Sequence, residues 1–298
     1  MNPLESGFLL LTSQLGNPER KPLTHAQLRT LATRVRGSAK PQADRELAAE
    51  DLIEWGYSWE DSNWILGLLS DEALLEHYLS RAGKVGCKPL TRAGEEYPIS
   101  VRKALGDDSP GCLWAKGDIS LLQMPRVALV GSRELHSENA YFAREVGIQA
   151  AKQGYALVSG NARGADKTAQ EACLEAGGAV ICVVADSLQK QRQRESVLYL
   201  SEECFDGAFS SQRALSRNRV IHSLGKMTFV AQSSLGTGGT WHGTVNNLRH
   251  RWSSVYCFDD GSKASRELAM MGAERIEAEK LRDFAALARE NADFIMEL

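Results

Sequence analysis

Two short apolar runs, separated by an amphipathic segment, stand near the middle of the chain. Residues 127–130 (Val-Ala-Leu-Val) and 155–158 (Tyr-Ala-Leu-Val) are apolar throughout, which is typical of strands buried on both faces. Between them, from residue 137 to residue 153, apolar side chains recur at helical spacing, so one face of this helix should pack against a sheet. The pattern predicts a β-α-β unit with parallel strands and a right-handed crossover.

The same alternation continues towards the end of the chain. It predicts strands at residues 179–184, 227–232 and 254–258, and helices at residues 165–176, 240–249, 263–271 and 279–288. Residues 186–195 are polar and irregular, and helical segments are predicted from there to Ser216. We therefore predict an α/β domain over residues 126–298, with a doubly wound parallel sheet.

The first part of the chain predicts a small helical domain. Thr24 and Gln27 have the spacing of a capping box, and Leu23 and Leu28 have the spacing of its hydrophobic staple. Further helices are predicted at residues 44–55, 59–69 and 71–81, the last of them ended by Gly83. Turn residues dominate the stretch that follows. The predicted domains are therefore residues 1–83 (helical), 84–125 (a connector) and 126–298.

Three tryptophans, Trp55, Trp59 and Trp64, belong to the predicted helical domain. Aromatic side chains of this kind stack on bases in proteins that bind single strands. They also fill the cores of small domains, and here they share helical stripes with Ile65 and Leu68. Core filling is our prediction.

The loops after the first two strands of the β-α-β unit predict a phosphate-binding site. Parallel strands deliver these loops to one edge of the sheet, next to helix N-termini that favour anions. Gly131, Gly160 and Gly164 let a ligand approach the backbone, and Arg133 and Arg163 can bind phosphate oxygens in a forked geometry. The alternative is that the glycines serve tight turns and the arginines are simply solvated.

The distribution of charge also favours an anionic partner. The chain has 298 residues, of which 43% are hydrophobic and 24% charged, with a net charge of -3, as in ordinary globular proteins. Residues 207–258 contain no Asp or Glu, although the chain average would place about six or seven there. The same window carries six Lys and Arg side chains. Part of it should be core, but an acid-free surface of this length is typical of a protein that meets a polyanion.

Cysteine and histidine spacing bears on compartment and metal content. The six cysteines form no Cys-x-x-Cys pair, so we expect reduced thiols in a cytoplasmic protein. The six histidines show no metal-ligand spacing, so no metal site is predicted. The apolar residues 8–11 are too few for a signal peptide or a membrane span, and no membrane association is expected.

Four segments, in order, resemble the DNA-processing protein A family (DprA, also called Smf). Residues 127–133 look like its Val-Gly-Ser-Arg start, and residues 159–166 look like its Ser-Gly-x-Ala-x-Gly-Ile-Asp loop, with Ala165 in place of isoleucine. Residues 217–221 are similar to its Arg-Asn-Arg-Ile-Ile motif, and residues 237–240 stand where its Ser-Gly-Ser-Leu loop belongs. The chain departs from the family at Gln170, where a histidine is common, and at the Gln- and Arg-rich residues 185–195.

The resemblance implies an extended Rossmann-like domain behind a helical SAM-like domain. It also implies single-stranded DNA binding, a homodimer, and loading of the RecA recombinase during DNA uptake or recombination, with no catalytic chemistry and no cofactor. Asn218 would position Arg217 and Arg219 in this interpretation, and the alternative for these three residues is a structural bridge across the sheet edge. The residues expected to bind DNA phosphates are Gly131, Ser132, Arg133, Ser159, Gly160, Arg163, Gly164, Arg217, Asn218, Arg219, Thr237 and Gly238.

Two other functions use the same predicted pocket. Phosphoribohydrolases that cleave nucleoside monophosphates share the fold, and Gly238-Gly239-Thr240 superficially resembles their phosphate loop. Glycosidic cleavage needs a carboxylate near the reacting carbon, and residues 207–258 offer none, which counts against this class. A nucleotide sensor is the second alternative. A dinucleotide enzyme is disfavoured because no Gly-x-Gly-x-x-Gly follows a strand.

Overall fold

The structure is a computed structural model that describes residues 1–38, 47–202 and 204–289. The strands are β1 (Cys87–Thr91), β2 (Cys112–Gly117), β3 (Arg126–Val130), β4 (Ala156–Ser159), β5 (Ala179–Val183), β6 (Val197–Glu202), β7 (Met227–Val230), β8 (Ser254–Phe258) and β9 (Glu274–Ile276). The helices are α1 (Pro3–Thr12), α2 (His25–Gly37), α3 (Ala49–Glu54), α4 (Trp59–Leu69), α5 (Glu72–Lys84), α6 (Ile99–Leu105), α7 (Ser137–Lys152), α8 (Ala165–Glu175), α9 (Ser211–Ser216), α10 (Asn218–Leu224), α11 (Gly238–His250) and α12 (Lys263–Met270).

One mixed sheet organises these elements. Over the described ranges it has nine strands in the order β1-β2-β6-β5-β4-β3-β7-β8-β9. The run from β6 to β9 in this order is parallel, whereas β2 is antiparallel to both of its neighbours. The chain moves outward from β3 to β6 in one direction and from β7 to β9 in the other. The strand order therefore reverses between β3 and β7, and ligands of open α/β sheets bind at such a switch point.

Helices cover both faces of the sheet, as its alternating side chains require. Val127 and Leu129 of β3 belong to one core, which they share with α7 and α8. Ala128 and Val130 belong to the opposite core, which they share with α6, α10, α11 and α12. The predicted α/β class with a doubly wound, mostly parallel sheet is confirmed, and so is the β-α-β unit of β3, α7 and β4.

The sequence pattern mis-assigned or missed four strands, β1, β2, β6 and β9, and misplaced one helix. Residues of β6 were predicted to belong to helical segments, but they form a strand in which all six side chains are buried. A strand buried on both faces has no period-two signal, so periodicity cannot separate it from a short helix. The short edge strand β9 was not predicted. The helix expected at residues 279–288 is a 3₁₀ turn at Ala278–Arg282 followed by a helix that begins at Phe284.

The described part of residues 1–83, which we call the helical region, is largely as predicted. Thr24 and Gln27 form the capping box, in which the Gln27 amide donates to Thr24 Oγ1 at 3.3 Å and the Thr24 amide donates to Gln27 Oε1 at 2.9 Å. α4 has its predicted limits, whereas α5 begins one residue later and ends three residues later than predicted. Residues 44–46, where the second predicted helix begins, lie outside the described residues, and α3 starts at Ala49. α1 was not predicted.

The tryptophans of the helical region divide into two groups. Trp55 and Trp64 are half-buried and pack against the core around Leu52 and Ile65. Trp59 is 62% exposed at the first position of α4, so the prediction of core filling is wrong for this side chain. Its position faces solvent because the apolar stripe of α4 passes through Ile65 and Leu68 instead.

The helical region and the sheet are in direct contact. Leu9, Leu75 and Tyr78 share one hydrophobic core with Trp114 of β2 and Phe205. The segment predicted as a connector, residues 84–125, supplies β1 and β2 to the sheet. The predicted domain limits at residues 83 and 125 stay a prediction.

The six cysteines, all within the described ranges, form no disulfide bond, and five of them are buried. None of the helices in the described part of the chain combines the length and the apolar character needed to cross a bilayer.

Candidate nucleic-acid interface

Two cavities open at the carboxyl ends of the parallel strands and join into one groove. The first, of about 460 Å³, lies at the switch point between β3 and β7. The second, of about 540 Å³, lies beyond the ends of β4 and β5. Both are lined by Arg133, Ala162, Phe209 and Arg217, which stand where the cavities meet. We call the combined space the groove; its other principal lining residues are Gly131, Ser132, Gly160, Asn161, Arg163, Asp166, Asp186, Asn218, Thr237, Gly238, Gly239 and Thr240.

Arg217 occupies the middle of the groove. It lies at the junction of α9 and α10 and is 8% exposed. Its Nε and Nη1 atoms are buried, and no described residue accepts a hydrogen bond from them. Burial lowers the pKa of the guanidinium, but arginine remains protonated at neutral pH. Buried charged donors without an acceptor are costly, and an anion bound at this site would offset that cost.

The position of Arg217 depends on Gly160. A side chain at Gly160 would overlap the guanidinium of Arg217, because the guanidinium lies directly over this residue at the end of β4. The sequence predicted that glycine at residue 160 lets a ligand approach the backbone, whereas the structure gives it a different role. It makes room for an arginine of the protein, which in turn faces the groove.

The loops after β3 and β4 are locked together by two further glycines. Gly164 has φ of +82° and packs so closely on the carbonyl oxygens of Ser132 and Arg133 that no side chain would fit. An added Cβ at Gly131 would lie 2.5 Å from the Cβ of Ala165. The Ala165 amide donates to the Ser132 carbonyl at 3.1 Å. Gly131 and Gly164 thus bring two loops of the groove together, whereas the sequence offered ligand approach or tight turns as their roles.

Asp166 holds the second loop in place, a role that the sequence analysis did not assign. One carboxylate oxygen accepts from the amides of Gly160 at 3.1 Å and Ala162 at 3.0 Å. Burial raises the pKa of this carboxyl, and the charge of Arg217 acts in the opposite direction together with the two amides. An acid in the first turn of a helix, just after a glycine-rich loop, is the signal that could have identified it.

The first turn of α11 forms the wall opposite Arg217. Thr237 and Gly238 begin the helix, and none of the described side chains caps it, so its first amides are available to an anion. The Asn218 amide donates to the Gly239 carbonyl at 3.0 Å, and the Thr240 hydroxyl donates to the Gly131 carbonyl at 3.0 Å. Asn218 therefore positions α11, whereas the sequence analysis expected it to position the neighbouring arginines.

Arg219 lies apart from the groove. Its guanidinium forms an ion pair with the buried carboxylate of Glu202 and donates to the Asp108 carbonyl. Its Nη2 atom is 3.2 Å from His25 Nε2 of the helical region. Neither cavity counts Arg219 among its described lining residues. The structure places Arg219 in the bridging arrangement that was the alternative for this motif.

The remaining predicted site residues differ in exposure. Ser159 is fully buried, and its hydroxyl accepts a hydrogen bond from Gln170, the residue that stands where relatives of the resembled family commonly have histidine. Ser159 is not among the described lining residues of either cavity. Arg163 lines the second cavity with an exposed side chain, 3.4 Å from Glu134. Ser132 and Arg133 line the groove, and phosphate binding by them stays a prediction.

Two more lining residues were missed by the sequence analysis. Phe209 is 54% exposed and faces both cavities, although an apolar ring normally avoids solvent. His222 lies under the switch-point cavity, and burial lowers its pKa to about 3. Over the described ranges, His, Cys, Asp and Glu side chains do not gather in threes that could hold a metal ion.

The parallel sheet, the reversed strand order and an arginine-lined groove at the switch point define a Rossmann-like α/β protein with a candidate anion-binding site. A family model for DNA recombination-mediator protein A matches residues 88–286, about two thirds of the chain, and the chain belongs to that family. The resemblance drawn from the four sequence segments is thereby confirmed.

Individual relatives agree with this assignment. The chain is 32% identical to DNA processing protein DprA of Streptococcus pneumoniae over 141 residues, which are 44% of this chain and 50% of that protein. It is 26% identical to DprA of Bacillus subtilis over 175 residues, 55% of this chain and 58% of that protein. The matched region thus spans about half the length of these curated relatives.

Solved structures show the same fold. The X-ray structure of DprA from Streptococcus pneumoniae superposes with a TM-score of 0.71 at 23% identity, covering 94% of this chain and 96% of that chain. DprA from Helicobacter pylori gives a TM-score of 0.55 at 23% identity over 66% of this chain and 94% of that chain. The latter structure concerns the single-stranded DNA binding mode of the Helicobacter pylori protein.

Proposed function

We propose that this protein binds single-stranded DNA along the groove and acts as a mediator of DNA recombination. The sugar-phosphate backbone would follow the carboxyl ends of the strands, from the switch point between β3 and β7 to the loop after β5. Membership of the recombination-mediator family supports this proposal, and so does the single-stranded DNA binding mode of the Helicobacter pylori protein.

The observation that carries the proposal is the buried guanidinium of Arg217. Its Nε and Nη1 donors find no acceptor within the described protein, and it stands where the two cavities join. A phosphate oxygen would supply that acceptor, and charge-assisted hydrogen bonds of this kind are the strongest in proteins. The amides at the start of α11, across the switch-point cavity, would add donors and a favourable helix dipole.

The charges of the groove leave its arginines available and its acids occupied. Asp166 accepts two backbone amides, and Asp186 pairs with Lys190 at 3.1 Å. Arg133 is exposed at the junction of the cavities, and Arg163 makes a long, exposed contact to Glu134 as its ion pair among the described residues. Exposed pairs of this kind are weak and are easily replaced by a phosphate. Among the described lining residues of the groove, three arginines stand against two acids, so the groove carries a net positive charge.

The occupied acids also bear on the enzymatic alternative. A phosphoribohydrolase needs a carboxylate that can reach the reacting sugar carbon. Asp166 is buried and faces the loop amides of Gly160 and Ala162, so its lone pairs serve the fold. We propose that the protein has no catalytic role at this site.

A single strand fits this groove better than a duplex does. Phe209 offers an exposed ring beside Arg133 and Arg217, so an unpaired base can stack on it while the adjacent phosphate binds arginine. Stacking is tolerant of sequence because every base has an aromatic face. Homodimerisation and loading of RecA belong to the proposal on the strength of the family resemblance.

Replacing Arg217 tests the proposal. We expect Arg217→Gln to weaken binding of fluorescent oligo-dT by at least about tenfold, because a charged hydrogen-bond donor to phosphate is lost. The magnitude of the salt slope should fall by about 0.7 for the one lost phosphate contact to a single strand. Fluorescence anisotropy between 50 and 200 mM salt measures both, in roughly the range where such slopes are large.

Arg249→Gln is the matched control. Arg249 is exposed in the last turn of α11 and belongs to the same acid-free window, residues 207–258. Its replacement by Gln changes the net charge by the same amount as Arg217→Gln. The affinity of Arg249→Gln for oligo-dT should stay within about twofold of that of the unaltered chain, since charges beyond a Debye length are screened. Equal affinities for the two variants would show that the groove is not the binding site.

A further inference from the structure

The segment at residues 205–209 connects the helical region to the groove. At one end, Phe205 is buried among aromatic rings, with its centroid 4.7 Å from that of Tyr78 and 5.1 Å from that of Trp114. At the other end, Phe209 is exposed and lines both cavities. The positions of Phe205 and Asp206 therefore constrain that of Phe209, which lies a few residues further along the chain in the wall of the groove.

Asp206 is held by two side chains of α5. The Tyr78 hydroxyl donates to Asp206 Oδ1 at 2.7 Å, and Arg81 Nη2 pairs with Asp206 Oδ2 at 3.0 Å. The tyrosine is fully buried, and the Arg81 guanidinium also lies over the rings of Tyr78 and Phe205. Burial, together with the neighbouring carboxylate, raises the pKa of Tyr78, so its hydroxyl remains a donor.

A second anchor holds the same segment from the sheet. Arg213 Nη1 donates to the carbonyls of Gly207 at 2.6 Å and Ala208 at 2.9 Å. Arg213 Nη2 donates to Ser201 Oγ of β6 at 2.8 Å. The carbonyls are thus tied to the sheet and Asp206 to the helical region. No described residue of α5 is among those that line the groove, and this segment joins a residue held by α5, Asp206, to a residue of the groove, Phe209.

We propose that Asp206 is a positioning residue through which α5 fixes Phe209 for stacking on a base of the bound strand. This inference rests on the proposed function. It gives the helical region a part in DNA affinity without contact between that region and the groove. The sugar-phosphate contacts of Arg133 and Arg217 do not depend on this anchor, because Arg217 is placed by Gly160 and by its own helices.

Tyr78→Phe tests the anchor with the smallest change, since it removes one hydroxyl. We expect oligo-dT to bind about fivefold more weakly, which is part of the stacking contribution of one base. An abasic strand of equal length has phosphates but no bases. Its affinity for the Tyr78→Phe variant should stay within about twofold of its affinity for the unaltered chain. Tyr256→Phe is the control, because that buried hydroxyl donates to the Leu287 carbonyl at the same 2.7 Å, away from the groove.

A double-mutant cycle separates positioning from a general loss of structure. In a Phe209→Ala background, Tyr78→Phe should have no further effect on oligo-dT affinity, because the group it positions is already absent. An equal effect in both backgrounds, an equal loss for the abasic strand, or no effect of Tyr78→Phe at all would overturn the inference.

Amide hydrogen exchange across residues 205–209, measured without DNA, distinguishes failure of the anchor from failure of the proposed function. Faster exchange in Tyr78→Phe than in Tyr256→Phe is the expected result. Unchanged exchange would overturn the anchor. An unaltered chain that binds neither strand would overturn the proposed function, and with it the role of Asp206 in DNA affinity.

Discussion

Two arginines that are separated by one residue have different roles in this protein. Arg217 is buried in the groove with donors that face no described acceptor, whereas Arg219 pairs with Glu202 and links the sheet to residue 108 and to His25. The sequence predicted that both arginines lie at the rim of the sheet. Their closeness in sequence could not show that their roles differ. Their separation depends on Glu202, which lies in a strand that the hydrophobic pattern assigned to a helical segment.

The contact between Gly160 and Arg217 leads to a prediction about a single methyl group. Gly160→Ala should displace the guanidinium of Arg217 and weaken oligo-dT binding by about tenfold or more. The free energy of unfolding should change by less than about 1 kcal/mol, because the displaced group is the end of a flexible side chain. Anisotropy and urea unfolding measure the two effects. Gly67→Ala in α4 is the control, since an added Cβ there meets nothing within 4 Å.

His222 makes stability depend on pH. Burial lowers its pKa to about 3 in the folded state from an ordinary value of 6.5, so protons bind more tightly to the unfolded chain. The contribution of the neutral ring is complete above pH 6.5 and is lost progressively as the pH falls towards 3. At pH 5 the loss is about 2 kcal/mol relative to neutral pH.

Urea unfolding at pH 7.5 and pH 5 tests this dependence. We expect His222→Gln to lose about 2 kcal/mol less than the unaltered chain between the two pH values. His250→Gln, which changes an exposed histidine of α11, should retain the full loss. A variant at His222 with an unchanged pH dependence would show that this ring does not carry the effect.

At the level of elements, the sequence predicted those whose periodicity is complete. The β-α-β unit, β5, β7, β8, α12 and the capping box of α2 were all predicted from their residues. β6 was not, since six buried side chains in succession carry no strand period. The antiparallel strands β1 and β2 were not predicted either, because turn residues dominate the stretch of chain that contains them.

Close packing of α7 on α8 supports both loops of the groove. An added Cβ at Gly147 would overlap the backbone carbonyl of Ala169 and lie 3.1 Å from the Cys173 amide nitrogen. We expect Gly147→Ala to lower the free energy of unfolding by about 1–3 kcal/mol, because two helices must move apart. Gly83→Ala in α5 has open space around the new methyl group and should be neutral or slightly stabilising. Equal stability of the two variants would contradict this account of the packing.

At the scale of the whole molecule, the ligand site follows from topology. The strand order reverses between β3 and β7, and the groove opens at that point. Sequence motifs predicted the loops that flank it, because small residues and arginine after buried strands are a local signal. They did not reveal Phe209 or the α5 anchor, since these depend on segments brought together only in the folded chain.

Competition for the groove tests the central claim most directly. Labelled oligo-dT bound to the unaltered chain is challenged with unlabelled oligo-dT, with a duplex of equal length and with dTMP, and the anisotropy is followed. If the groove binds a single-stranded polyanion, the unlabelled strand displaces the probe at the lowest concentration. Displacement by dTMP requires a concentration at least about a hundredfold higher, because dTMP supplies one phosphate and one base. Displacement by dTMP at a concentration comparable to that of the strand would contradict the account and identify a pocket for a single nucleotide.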